Sequence, residues 1–132
     1  MRPINLAEIK ELINVKNNHL ISVYLNTHRF GKEVKENQDA ITFKGLIQKS
    51  EHSLKEKGVD QHQIADMLKP AYDLIENNNF WRHQLDGLAV FIGEGFFKVH
   101  HLPYPVAQQQ NVSNRFMLKP LLYSFSDNNI YY

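Results

Sequence analysis

The chain contains no cysteine. That absence excludes disulfides, thiolate metal sites and a cysteine nucleophile, and it fits a reducing cytoplasm. No apolar run approaches the roughly 18 residues that a membrane-spanning helix needs. Residues 1–10 carry no apolar stretch of the signal-peptide kind. Neither charge dominates: 15 Lys and Arg stand against 14 Asp and Glu, a net charge of +1. A dedicated nucleic-acid binder is usually marked by a basic surplus, and this composition has none. Internal repeats and low-complexity segments are missing too, apart from short Asn and Gln triplets.

What is present suffices for a core. Forty of the 132 residues are Leu, Ile, Val or Phe, a share that excludes intrinsic disorder. The length fits one domain, which at this size removes about two-thirds of its extended-chain surface from water. Charge is mildly polarised along the chain. Residues 1–58 hold ten Lys and Arg against seven Asp and Glu, and residues 59–132 hold five against seven. The surplus lies in Arg29, Lys32, Lys35, Lys44, Lys49, Lys55 and Lys57, with Glu33, Glu36, Asp39, Glu51 and Glu56 between them. Interleaving of this kind is the ordinary pattern of a solvated helix face.

The hydrophobic spacing sets out the elements. Asn5 caps a short helix over residues 6–15, with Leu6, Ile9, Leu12 and Ile13 on one side. Residues 20–25, Leu-Ile-Ser-Val-Tyr-Leu, have the composition of a central strand. The polar stretch 26–38 reads as a loop, and loops of that length are uncommon unless they bind something or move. Asp39 is positioned to cap a long helix ending near Lys57 before Gly58. A second helix, from Asp60 or Gln61 to about residue 77, contains Pro70, where a kink or restart is expected. Residues 88–92 and 96–102 form a hairpin around Gly93-Glu94-Gly95. The first of these strands is apolar throughout, so it must be covered on both faces or lie in mid-sheet, with the helices at 39–57 and 61–77 as the available covers. Residues 106–113 suit an irregular edge strand, and a short helix begins around Pro120. Residues 127–132 end on Ile130-Tyr131-Tyr132, with strand composition, and are read as the start of a following domain after a first domain over 1–126. The expected fold class is α+β: a mixed sheet of about four strands, covered by two main helices, with short helices near both ends.

Motifs for catalysis are wanting. Of seven histidines, none are paired at i, i+4, and His100 and His101 point to opposite faces of one strand. Gly93-Glu94-Gly95 lacks the Lys-Ser/Thr and the helix of a phosphate-binding loop. No Gly-x-Ser-x-Gly elbow occurs, and Glu33/Glu36 and Asp73/Glu76 lie on expected surface. No catalytic residue, metal ligand or cofactor is therefore assigned. Two stretches stand out instead. Thr27, His28 and Arg29 follow a strand at the end where open α/β sheets bind ligands. Phe80 to Gly87 holds the only Trp, Trp81, expected to plug the base of the domain. Arg82 and Asp86, in the same stretch, are expected to pair with each other or with backbone ends, since a half-buried charge needs a partner.

An ordered set of segments carries a resemblance. Val23-Tyr24-Leu25-x-Thr27-His28-Arg29 is followed by Lys69-Pro70-Ala71, then by Phe80-Trp81-x-x-Gln84-x-Asp86-Gly87-Leu88-Ala89-Val90-Phe91. Leu102-Pro103 and Arg115-Phe116-x-Leu118-Lys119-Pro120-Leu121-Leu122 complete it. From about residue 20 onward this order resembles the N-terminal domain of the bacterial archaeo-eukaryotic-type release-factor family, related to the release factor and Pelota. The resemblance implies that a ribonuclease-H-like middle domain and an L7Ae-like C-terminal domain follow in the whole protein. It also implies a role in translation termination or ribosome rescue. The Gly-Gly-Gln tripeptide of peptide release belongs to the middle domain, and the Asn-Ile-Lys-Ser motif of codon reading is absent from this sequence.

Together these readings give a non-catalytic module, cytoplasmic and without a membrane, whose partners are ribosome or RNA and the domains that follow it. The contact residues expected are Thr27, His28, Arg29, Lys32, Lys35 and Lys44. The alternative is a small-ligand-binding or signalling domain that uses the crevice after strand 20–25, with an enclosed pocket into which His28 or Arg29 points. An active site assembled jointly with the following domains is a third possibility.

Overall fold

A computed structural model of the chain describes residues 4–122. Helix α1 (Leu6–Asn14) leads to strand β1 (Leu20–Asn26). The one-turn helix α2 (Lys32–Lys35), the long helices α3 (Gln38–Glu56) and α4 (Gln61–Ile75) and the short α5 (Asn78–Arg82) follow. Strands β2 (Gly87–Gly93), β3 (Phe96–Leu102) and β4 (Gln109–Ser113) come last. The sheet order is β3-β2-β1-β4, so the two most apolar strands are central. The fold class is α+β, as expected.

Every pairing in the sheet is antiparallel, where a mixed sheet was expected. The reason lies in the β1–β2 connection. Two long helices make one trip away from the end of β1 and one trip back, so β2 starts where β1 stops. Asn26 pairs with Gly87, and the Thr27 N–H donates to the Asp86 carbonyl at 3.0 Å. The same hairpin places α3 and α4 on one face of the sheet rather than one on each, because the short link 57–60 cannot carry the chain around an edge. Gly58, at φ +78°, closes α3, and the Val59 N–H reaches back to the Leu54 carbonyl at 3.1 Å. Tyr72 on α4 donates to Glu51 on α3 at 2.6 Å, and burial together with that bond pushes its phenol up to about 12.

Alternation along β1 and β2 divides the core in two. Ile21, Val23, Leu25, Leu88, Val90 and Ile92 face α3 and α4, meeting Phe43, Ile47, Leu54, Leu68 and Trp81. Leu20, Tyr24, Ala89 and Phe91 face the other way, toward Ile9 and Leu12 of α1 and toward Val106, Phe116 and Leu121. The second cover is thus α1 plus the segment 103–122, and β1 pins that segment. Ser22 accepts from the Met117 N–H at 2.8 Å, the Tyr24 hydroxyl donates to the Met117 carbonyl, and Asn26 accepts from the Val106 N–H at 2.8 Å. Burial drives the Tyr24 phenol far above its usual range.

Local expectations fare unevenly. Asn5 caps α1 with a reciprocal bond from Glu8, as the sequence indicates. The hairpin turns through Glu94 and Gly95, the latter at φ +69°. Helix α4 runs unbroken through Pro70, against the expected restart. The carbonyl that Pro70 leaves unbonded belongs to the exposed Asp66, within reach of water. The loop 26–38 is interrupted by α2, and of the asparagines after α4, Asn77 caps α5 while Asn78 and Asn79 begin it. A helical turn begins at Lys119. The expected following domain at 127–132, like the continuation of that helix to 125, lies outside the described residues. Among the described residues no helix is long and apolar enough to cross a membrane.

Candidate functional site

The candidate residues gather where β1 ends. Thr27, at 6% exposure, is the last inward-facing residue, and its hydroxyl donates to the Leu85 carbonyl at 2.7 Å. It ties β1 to the approach of β2, and its hydroxyl proton is committed to that bond. His28 turns toward α3. Its backbone N–H donates to Asp39 Oδ2 at 2.8 Å, and its ring Nδ1 lies 2.8 Å from Asp39 Oδ1. A carboxylate accepts, so Nδ1 carries the proton and Nε2 faces outward. Asp39 is 4% exposed and thus spends both oxygens on one residue. Helix α3 instead starts after Asn37, which adopts a left-handed conformation at φ 59° and makes no side-chain cap bond. Asp39 is therefore a latch on the loop and not the cap that the sequence suggested. The helix begins two residues earlier than a cap at 39 allows, which places Asp39 inside the first turn.

Arg29 lies outside this latch. Its Nε donates to Asp86 Oδ1 at 2.9 Å, which holds the Asp86 carboxyl below the usual carboxylate range. The bond uses one of five guanidinium N–H groups and leaves the outer fork free. The Asp86 carboxylate therefore pairs with Arg29, where the sequence led us to expect Arg82 or a backbone end as its partner. Helix α5 separates the two: it carries Arg82 out to the surface, while Asp86 sits half-buried beside β1. Trp81, on the inner side of α5, fills the end of the core at 2% exposure, as expected of a plug.

Beyond Arg29 the chain turns at Gly31, at φ +103°, into α2. Lys32 and Lys35, one turn apart on α2, share a side of it and are exposed. Glu36 lies 3.9 Å from Lys32. Val34, Lys35, Glu36, Asn37, Asn78 and Arg82 line a shallow hollow of about 520 Å3 between α2 and α5. Lys44 is exposed two turns along α3 and lines neither this hollow nor the one beside β4. The loop therefore gathers Thr27, His28, Arg29, Lys32 and Lys35, adds Arg82, and leaves Lys44 apart.

Sequence reasoning missed three participants: Asp39 as the latch, Arg82 as a member of the basic rim, and Phe30, 80% exposed between Arg29 and Gly31. Only the last leaves a trace in sequence, an aromatic inside a polar, charged loop. The histidines are dispersed. His100 faces α1, 3.7 Å from Glu8, and His101 lies against Phe80 on the opposite face, the rings tilted by 44°, with its pKa lowered by burial. Among the described residues no three His, Asp or Glu side chains converge.

No family model matches the chain, and none of the curated proteins compared with it matches either. The resemblance to the release-factor family thus stands on the order of its motifs alone.

Proposed function

We propose that this chain is a non-catalytic module of a release-factor-like protein that contacts RNA, on the ribosome, through the loop after β1. One observation carries the reading. Arg29, Lys32 and Lys35 are exposed on a loop whose base is fixed by Thr27–Leu85, His28–Asp39 and Arg29–Asp86 bonds. Such fixing lowers the entropy lost when the cations are placed against phosphates. The ligand-crevice reading is less well supported. His28 and Arg29 are bound to carboxylates, and neither lines the hollow at this end, whose charged residues are Lys35, Glu36 and Arg82.

Phosphate contacts release counterions, so affinity must fall as salt rises. Binding of the chain to purified ribosomes, followed by co-sedimentation across a salt series, should give a linear fall of log affinity with log salt. The triple variant R29A/K32A/K35A removes three contacts and should flatten that slope by about 2, at roughly 0.7 per contact on unpaired RNA. Equal slopes for the triple variant and the unaltered chain would remove this loop from the interface.

A further inference from the structure

We infer that Phe30 is a stacking platform for an unpaired RNA base, with the flanking cations holding the phosphates on either side of it. The inference rests on the RNA reading above and gives it a ligand class: single-stranded rather than duplex RNA. Phe30 is the most exposed large apolar residue among those described, at 80%, where Leu6, Ile13, Ile41 and Leu122 lie between 42% and 59%. Its ring takes no part in either core cluster. Folding therefore gains nothing from an aromatic here, and a partner that covers the ring gains much.

The surroundings select the partner. Arg29 precedes Phe30, Lys32 follows after one glycine, and Lys35 stands one turn further on the same side of α2. Arg82 shares the hollow with Lys35. Cations thus flank an exposed aromatic ring in sequence, and the hollow that Lys35 and Arg82 share also has Glu36, Asn37 and Asn78 in its lining. Two acids are interspersed, but Glu36 lies near Lys32, and Glu33 is folded close over Gly31, its Oε2 3.3 Å from where a Cβ there would sit. A flat apolar face beside regularly spaced anions is the chemistry of a single strand, in which every base offers a π-face. A duplex hides those faces, and a lipid surface calls for more apolar side chains around the ring than this loop has. The bonds at Thr27, His28 and Arg29 fix the base of the loop before the strand arrives.

The test uses the 132-residue chain and fluorescein-labelled oligouridine of about 12 nucleotides, read by anisotropy at low salt, beside an abasic strand of equal length and charge. Phe30→Ala should weaken binding of the base-carrying strand by about five- to fifty-fold. It should leave the abasic strand bound as tightly as before, and Phe30→Trp should restore affinity. Both substitutions are at an exposed position, so the fold is expected to tolerate them. If Lys32→Ala with Lys35→Ala weakens binding while Phe30→Ala changes nothing, the stacking role is overturned and the RNA reading stands. If the unaltered chain binds neither strand, both fall. If polyglutamate of matched charge displaces RNA and binds with the same dependence on Phe30, the occupant is an acidic protein segment and the inference is wrong.

Discussion

Replacing Trp81 by alanine should lower stability by about 3–5 kcal/mol, the usual range for truncating a buried aromatic. The ring sits where α5 turns inward, 5.4 Å from Phe43 and 4.8 Å edge-on from Phe80 between ring centres. It closes the end of the core shared by α3, α4 and the sheet. Its Nε1–H donates to the Leu74 carbonyl at 2.8 Å, so the side chain also ties α5 to the last turn of α4. Trp81→Phe separates the two contributions. It keeps most of the packing and loses the bond, for about 1 kcal/mol plus a small void. The Leu74 carbonyl keeps the Asn77 N–H as a partner at 3.1 Å, which limits that cost. Urea unfolding followed by far-ultraviolet circular dichroism measures both variants, since the only Trp is the residue removed. A midpoint for Trp81→Ala within error of the unaltered chain would show that this end of the core does not bear on stability. Small domains have only about 5–15 kcal/mol in total, so the alanine variant should approach the limit of folding.

Gly87→Ala is the second large effect, and its origin is different. A Cβ at Gly87 would lie 2.6 Å from the Tyr104 carbonyl oxygen and 3.2 Å from Leu102 Cβ. Neither neighbour can yield cheaply. Leu102 pairs with Gly87 across the β2–β3 ladder, and the segment after Tyr104 is held to β1 where Asn26 accepts the Val106 N–H. Moving Tyr104 aside therefore strains the crossing from the sheet edge to its second face. Overpacking of this kind costs about 1–3 kcal/mol, and a backbone oxygen as the obstacle puts Gly87 at the upper end. Gly45→Ala is the control. It lies within α3 and nothing stands within 4 Å of its added Cβ, so it should gain about 0.5–1 kcal/mol from the glycine it removes. Urea midpoints that rank the two variants the other way would contradict the close packing of 103–106 over β2.

The parts of the fold that were legible in sequence are those governed by near neighbours. The Asn5 cap, the glycine-bearing hairpin, the Gly58 stop and the central placement of residues 20–25 all follow from spacing within a few residues. The parts that were not legible depend on partners far along the chain. Asp39 has the residue type and position of a helix cap, and only the fold shows that His28, 11 residues away, claims both of its oxygens. Asp86 has Arg82 four residues away in sequence, yet Arg29, 57 residues away, takes it because antiparallel pairing sets the ends of β1 and β2 side by side. Pro70 has the residue type of a helix breaker, yet α4 continues through it, with the unbonded carbonyl on an exposed residue, Asp66. Of the candidate contact residues, Arg29, Lys32 and Lys35 share the loop, Thr27 and His28 are its fixings, and Lys44 lies elsewhere. Sequence composition drew attention to the loop but did not distinguish the residues that hold it from those it presents.

We read this loop as a preformed, outward-facing contact for unpaired RNA. The most direct test of this reading is an amide chemical-shift titration of the nitrogen-15-labelled chain with short oligouridine at low salt. The expected perturbations are confined to Phe30, Gly31, Lys32 and Lys35 and to Asn78 and Arg82 across the hollow. The amides of Thr27 and His28 should move little, because their latches are made before binding, and those of α1 and β4 should stay in place. Perturbations centred on α1 or the β4 edge, or none at saturating oligonucleotide, would contradict the claim.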